Sequence, residues 1–384
     1  MSHRIVILGA GYAGLTAARR LGTLLRGRNA EIVLVNDRTD FVERLRLHQV
    51  VAGQTLPRYD LADLLHGSGV RLHCARVETV DVVSRTVIAD GEPIGYDSLV
   101  YALGSAGAPM AGASHSWSAA SPVKAMQLRG RLTRAAAGAR VLVVGGGLTG
   151  LEVASEIAEA RPDLSVALAT SGGLGDWLVP GARAHLRQGL ERLGVEVREG
   201  VRVGQFTSEG AVAEDGTTLE ADVAIGAIGF APNPIAAGSD LEVDGRGQVV
   251  VDAAMRSVSH PEVYAVGDAA LAMGPGGGPL RMSCSSGMPT GWLAAGHLAA
   301  AIAGRRPPTL RVRYFHQPIS LGRRDAVVQF VHGDDRPRRG YLTGRAAARY
   351  KEALCRIAVW SFAHDLPARR AGKPVTVAAS RATG

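Results

Sequence analysis

The stretch "VLVVGGGLTGLE", Val141–Glu152, reads as a β-branched strand running into a glycine-rich turn and then a helix. The chain opens with a unit of the same plan, "RIVILGAGYAGL", Arg4–Leu15. Both turns follow the spacing Gly-x-Gly-x-x-Gly, with Gly9, Gly11 and Gly14 in one and Gly145, Gly147 and Gly150 in the other. The first glycine of such a turn permits the tight bend, the second lets backbone approach a pyrophosphate, and the third lets the helix pack on the strand. The helix N-terminus then offers free N–H groups and a positive dipole end to the phosphates. Two such turns predict an α/β fold with two Rossmann-like dinucleotide-binding domains.

The flanks extend the pattern. "AEIVLVN" ends at Asn36 and Asp37, about 20 residues past Gly14, where an acidic residue usually meets the ribose hydroxyls. Asn36 can hydrogen-bond a hydroxyl through its amide, and Asp37 can share that task. In the second unit the matching strand, "LSVALAT", ends at Thr170. No carboxylate stands there to repel a 2′-phosphate, and no arginine follows to attract one, so NADH and NADPH both remain open. Each unit then reaches a strand closing on Ala-x-Gly: "YDSLVYALGS" with Ala102 and Gly104, and "EADVAIGAIGF" with Gly229. The two copies form an internal repeat of about 130 residues. "EVYAVGDAA", Glu262–Ala270, places Gly267 and Asp268 at a strand end, where a carboxylate suits a polyol chain.

Composition narrows the class. A chain of 384 residues, 46% hydrophobic and 20% charged, is a globular protein of more than one domain. The N-terminus lacks the basic and long apolar regions of a signal peptide. Met282–Gly304 carries no charge, but its Ser, Gly and Pro leave only about a dozen helical residues, which predicts a buried core helix rather than a membrane span. Cys74, Cys284 and Cys355 are scattered, which argues against a disulfide framework, a metal site and a redox dithiol, and suits the cytoplasm. Cys284 has no identifiable base beside it and reads as packing. From Arg336 onward there are 11 Lys/Arg against 2 Asp/Glu, while the remainder is close to neutral. A basic tail on a neutral body points to an anionic surface as partner, with a solvated face as the alternative.

In the order GAGYAG, "YDSLVYALGS", GGGLTGLE, "ADVAIGAIGFAPNP" and "VYAVGDAA", the chain resembles the two-dinucleotide-binding flavoproteins. These hold FAD in the first fold and NAD(P)H in an inserted second one. The resemblance covers roughly Arg4 to Gly304. It implies an FAD domain in two parts (1–110 and 239–306), an NAD(P)H domain between them (111–238) and a C-terminal region (307–384). Within that superfamily, "GGGLTGLEVASEIAE", "SLGRRDAVVQF" and "DRTDFVERLRLHQVVAGQ" are most similar to type II NADH dehydrogenases and apoptosis-inducing-factor-like quinone reductases.

That likeness implies FAD contacts at Gly9, Gly11, Tyr12, Ala13, Gly14, Asn36, Asp37, Arg46, Val77, Ala102, Gly104, Gly267 and Asp268. It implies nucleotide contacts at Gly145, Gly147, Leu148, Thr149, Gly150, Glu152, Thr170 and Gly229, with Glu152 near both the nicotinamide and flavin rings. The implied activity is hydride transfer from NAD(P)H to the flavin, then electron transfer to a quinone or quinone-like acceptor.

The departures are specific. No CxxxxC pair occurs near Phe41–Gln49. Where type II enzymes carry an Ala-Gln-x-x-x-Gln quinone motif, this chain reads "SCSSGMPTGW", with Cys284 and Ser285 at the first pair and Pro289 and Thr290 near the second glutamine. Both glutamines are missing. A tailoring oxidoreductase for a soluble metabolite, an NAD(P)H-sensing flavoprotein acting through a partner, and a reductase of an electron-transfer protein therefore stay in play. An extended "RLRLHQ" would place Arg44, Arg46 and His48 on one side. Arg46 would offset negative charge on the reduced flavin, and His48 would relay a proton. We take Glu152, His48 and Arg46 as the catalytic candidates, with no metal, no nucleic-acid partner and a small-molecule electron acceptor.

In "GRAAARYKEALCRIAVWSFAH" helical spacing places Tyr350, Leu354 and Ile357 on one face, with Phe362 nearby, and Arg345, Arg349, Glu352 and Arg356 on the other. Such a helix docks on the protein body or a second subunit as a homodimer, or lies at the cytoplasmic face of a membrane. Docking is the favoured expectation. The last residues, from Ala368, read as a disordered basic tail.

Overall fold

The computed structural model describes residues 2–309 and 311–364. The tail from Ala368 lies outside the described residues. The first unit contributes β1 (His3–Leu8), α1 (Tyr12–Leu24), β2 (Ala30–Asn36), the short helix α2 (Leu47–Val51), β3 (Val70–Cys74) and β4 (Ser98–Tyr101). The second contributes β5 (Arg140–Val144), α3 (Leu148–Ala160), β6 (Ser165–Thr170), α4 (Pro180–Arg192), β7 (Glu196–Glu199) and β8 (Val223–Gly226). The chain returns to the first unit with β9 (Val263–Ala265) and α5 (Cys284–Ala303). It closes with β10 (His316–Ser320), β11 (Ala326–Val331), β12 (Pro337–Thr343) and α6 (Gly344–Ala363).

The β-branched runs behave as strands buried on both faces. Ile5 to Leu8 and Val141 to Val144 are almost fully inaccessible, as central strands of helix-covered parallel sheets must be. The first sheet has the order β9-β4-β1-β2-β3 and the second the order β7-β6-β5-β8, with all pairings parallel. In each, the strand order reverses at the strand that feeds the glycine turn. That switch point opens a crevice at the carboxyl ends of the strands.

The two Ala-x-Gly signatures are the exits from these sheets. Gly104 and Gly229 adopt φ of +68° and +107°, conformations that a side chain resists. The chain leaves and re-enters the first unit through Ser105–Gly107 and Phe230–Pro232, which pair antiparallel.

Two expectations are corrected here. The helix α5 is longer than expected: it starts at Cys284 and runs through Pro289. Pro289 lacks an N–H, but it stands near the helix start, where the Thr290 hydroxyl lies 2.9 Å from both Ser286 O and Gly287 O. No helix among the described residues is long and apolar enough to cross a membrane. The second correction concerns α6. Its buried face is Ala347, Lys351, Cys355, Val359 and Phe362, an i, i+4 row closed by an i+3 step. Tyr350 and Leu354 are only half-buried and Ile357 is 58% exposed. The helix docks on the body, but through a face whose small residues and single lysine gave no strong apolar signal. Phe362 completes that docking against Tyr12 and Phe41, with ring centroids 6.1 and 5.2 Å away.

Candidate functional site

The two glycine turns are built alike. Gly9 has φ +93° and a Cβ there would stand 2.6 Å from Ala102 O, while Gly145 has φ +120° and a Cβ there would overlap Ala227 O. A Cβ on Gly14 would overlap Gly9 O, and one on Gly150 would overlap Gly145 O, so helix and turn pack backbone to backbone. The middle glycines differ: nothing lies within 4 Å of a Cβ at Gly11 or at Gly147. Space therefore opens in front of the N-termini of α1 and α3, where Tyr12, Ala13, Leu148 and Thr149 form the first turns. These open cradles, with helix N-terminal N–H groups facing them, fit dinucleotide phosphates.

A third N-terminus joins the first cradle. Gly291 of α5 lies so close to Ala13 that a Cβ there would overlap Ala13 O, and a Cβ on Gly267 would sit 2.9 Å from Ala13 Cβ. Thr290 Oγ1 accepts from Gly267 N–H at 3.0 Å, and Ser105 Oγ donates to Asp268 Oδ2 at 2.5 Å. This fixes Asp268 at the mouth of the cradle. Asn36 is spent on the frame: its Oδ1 accepts from Ala10 N–H at 2.8 Å and its Nδ2 donates to Arg38 O at 2.9 Å. Asp37 is exposed at the strand end. Val77 is buried two residues past Ala75, whose N–H donates to Asn36 O at 2.9 Å.

In the second cradle Thr170 packs against Gly146, where a Cβ would overlap its hydroxyl. Two arginines of α4 stand near this strand end. Arg183 and Arg187 reach Glu199, Thr170's neighbour across the sheet, at 3.8 and 2.5 Å.

Between the units lies a chain of buried ionisable groups. Glu152, in the first turns of α3, is 8% exposed. It meets His48 Nδ1 at 3.4 Å, accepts from Ser320 N–H at 3.2 Å, and forms a close ion pair with Lys351 Nζ. Lys351 also donates to Ser320 Oγ at 2.7 Å. One turn further along α3, Glu156 lies 3.8 Å from His48 Nε2, accepts from Gln54 Nε2 at 3.1 Å and pairs with Arg323 at 3.2 Å. Arg46 donates to Gln49 at 3.0 Å and reaches Glu352 at 3.3 Å. All three candidates, Glu152, His48 and Arg46, thus converge.

The convergence comes from a different local fold than the one expected. Arg44–Arg46 is a 3-10 turn leading into α2, not an extended strand, so alternate residues do not share a face. Arg44 points away, donating to Ser105 O at 3.0 Å and lying over the Phe230 ring. Lys351, Glu156 and Arg323 are additions that the sequence reading missed. The signal for Lys351 was its place in the row Ala347, Lys351, Cys355, Val359. Cys284 and Cys355 are both free thiols, and burial pushes Cys284 up to about 12, so it stays protonated.

Burial sets the charge states along the chain. Desolvation raises Glu156 from its ordinary 4.5 to about 7, against the opposing pull of Arg323. Desolvation holds His48 well below 6.5, helped by the positive charges of Lys351, Arg323 and Arg46, so it is neutral. The two shifts act oppositely on stability. Between about pH 4.5 and 7 the folded chain holds a Glu156 proton that the unfolded chain has lost, so this term lowers stability as pH rises, by on the order of 3 kcal/mol. Below pH 6.5 unfolded His48 binds a proton that the folded chain refuses, so this term raises stability as pH rises. Glu156→Gln removes only the first. Its urea midpoint should climb more steeply than wild type between about pH 5 and 6.5. Parallel pH curves for the two proteins would show that Glu156 is ionised there.

The comparisons agree with this geometry. Residues 3–295 match the family described as pyridine nucleotide-disulphide oxidoreductase. An NADH dehydrogenase-like protein of Mycobacterium tuberculosis is 29% identical over 348 residues, 84% of this chain and 87% of that protein. The ferredoxin–NAD(+) reductase component of a biphenyl dioxygenase system from Paraburkholderia xenovorans is 30% identical, over 70% of this chain and 68% of that one. The sulfide:quinone oxidoreductase of Aquifex aeolicus has the same fold, with a TM-score of 0.80 at 18% identity over 94% and 92% of the two chains. With its two cradles and their switch-point sheets, the chain belongs to the pyridine nucleotide-disulphide oxidoreductase family, whose cofactors are FAD and NAD(P)H.

Proposed function

We propose that this protein takes two electrons from NADH or NADPH and passes them to a quinone or quinone-like acceptor. The observation that carries the reading is the meeting of Glu152, His48 and Lys351, one from each of three parts of the chain, where the two dinucleotide units join. FAD supplies the two-electron carrier between nucleotide and acceptor. The turn around Gly9, Gly11 and Gly14 holds its pyrophosphate, and Asp268 its ribityl hydroxyls. The turn around Gly145, Gly147 and Gly150 holds the nucleotide, with Glu152 orienting the nicotinamide. Arg46 balances negative charge at the ring, while His48 and Lys351 hold protons at Nδ1 and Nζ. The Tyr12, Phe41 and Phe362 rings keep water out.

The test is anaerobic reduction of the purified flavoprotein by NADH and by NADPH, followed by mixing with menadione, ubiquinone or ferredoxin. Reoxidation by the quinones faster than by oxygen supports the reading; a protein that binds no FAD sinks it. Reoxidation by ferredoxin alone would favour a second reading, reduction of an acidic electron-carrier protein. That reading draws on the ferredoxin reductase relative and on eleven Lys/Arg against four Asp/Glu between residues 311 and 364.

The reading includes a peripheral membrane contact. The outward side of α6 exposes Ile357 (58%) and Trp360 (52%) beside exposed Arg345, Arg349 and Arg356. A truncation before α6 would also remove Lys351 and Phe362 from the interior, so point changes are the cleaner test. Ile357→Ser with Trp360→Ser should cut co-sedimentation with phosphatidylglycerol vesicles roughly tenfold or more. Unchanged co-sedimentation would remove the membrane contact from the reading.

A further inference from the structure

One cavity lies outside the joint where the two units meet. It measures about 310 Å³ and opens among the segment leading into β10, the β11–β12 pair and α6. None of its lining residues belongs to either glycine cradle or to the group of Glu152, His48 and Lys351. Its volume is at the lower end of small-molecule sites, roughly 300–1,000 Å³.

The walls are aromatic. Tyr350 of α6 stands edge to face with both His316 and Phe330, with ring centroids 5.6 and 6.3 Å apart. Its hydroxyl lies 3.1 Å from His316 Nδ1, which ties the two rings together. Phe315 adds a further wall and is 70% exposed. Backbone pairing holds it there: Val331 N–H donates to Phe315 O at 3.0 Å, and Tyr314 N–H donates to Gly333 O at 3.2 Å. Alternation along this segment buries Val312 and Tyr314 and turns Arg313 and Phe315 outward.

The rim is cationic. Arg313 and Arg338 both line the cavity, and among the described residues neither guanidinium has an ion-pair or hydrogen-bond partner. The stem of Arg313 lies against Gly333, where a Cβ would stand 3.3 Å from its Cγ and Cδ. The carboxylates nearest in sequence are already engaged, Asp334 by Arg336 and Asp335 by Arg281. A guanidinium grips a carboxylate through two parallel hydrogen bonds, and a flat ring stacks well on aromatic walls. Two cations match a single anionic group rather than a polyphosphate.

We propose that this cavity binds a small aromatic carboxylate, its ring against Phe315, Phe330 and Tyr350 and its carboxylate between Arg313 and Arg338. Such a site does not depend on the quinone reading, because it shares no residue with the proposed electron path.

The test is calorimetric titration of the full-length, flavin-loaded protein with naphthoate. Methyl naphthoate, which lacks the charge, and cyclohexanecarboxylate, which lacks the flat ring, are titrated beside it. Wild type should bind one naphthoate per chain with a Kd below about 1 mM. Arg313→Gln and Arg338→Gln should each weaken binding about 10-fold, and Phe315→Ser about threefold or more. All three side chains are exposed, so these variants keep the fold. No binding up to about 5 mM overturns the proposal, as does a Kd within about twofold of wild type in both arginine variants. A methyl ester or a cyclohexanecarboxylate that binds as tightly as naphthoate also overturns it, since the cavity would then recognise no charge or no ring. AMP that displaces naphthoate and binds more than about tenfold tighter would assign the cavity to an aromatic phosphate and overturn the carboxylate.

Discussion

Lys351→Met is expected to lower the thermal midpoint by on the order of 10 °C and to slow flavin reduction by NADH about 100-fold. Lys351 is 9% exposed and Glu152 8%, and they face each other across the joint between α3 and α6. Removing one partner of a buried ion pair leaves the other charge uncompensated, at about 3–5 kcal/mol. Ser320 N–H alone, at 3.2 Å, cannot replace the ammonium.

The escape route for the variant is His48. Burial does most to hold His48 below its ordinary value and Lys351 adds to it, so loss of Lys351 moves His48 part of the way back beside Glu152. A histidine held less far below its unfolded value gives up less stability as pH falls through that value. Lys351→Met should therefore be less destabilised at about pH 5.5 than at pH 8. Adding Glu152→Gln should restore most of the midpoint but not the rate. A midpoint within about 2 °C of wild type would place this pair with exposed ion pairs, which contribute little.

How much of this was legible beforehand follows from the range of the physics. The cradles were legible because their requirements are local: Gly9, Gly14, Gly145 and Gly150 each answer to backbone a few residues away or one strand over. The convergence of Glu152, His48 and Arg46 was reached through family resemblance, and the extended geometry expected for "RLRLHQ" was wrong. A 3-10 turn and a five-residue helix carry too little periodicity to be read. Lys351 was missed because it reaches Glu152 only after the C-terminal sheet has folded back over the second unit. Asn36 shows the limit of motif transfer. It stands at the ribose position, yet its amide bridges Ala10 and Arg38, a use that depends on the loop and not on the strand.

Gly11→Leu and Gly147→Leu should separate the two cradles by function. Substitution at Gly9, Gly14, Gly145 or Gly150 drives a Cβ into backbone and damages the fold itself. At Gly11 and Gly147 the Cβ meets nothing within 4 Å, and φ is −73° and −74° at these two N-cap positions, where leucine is unstrained. Both variants should fold with near-normal midpoints. What each leucine fills is the path of a pyrophosphate toward a helix N-terminus. Gly11→Leu should purify without flavin and remain empty at saturating FAD. Gly147→Leu should keep its flavin, keep its photochemical reducibility, and lose reduction by NADH, with the Kd for the nucleotide up by about 100-fold or more. The assignment has a direction that the sequence symmetry alone does not supply. It comes from α5 and Asp268, which pack at the first cradle. If Gly147→Leu lost the flavin while Gly11→Leu kept it, the order of donor and carrier along the chain would be reversed.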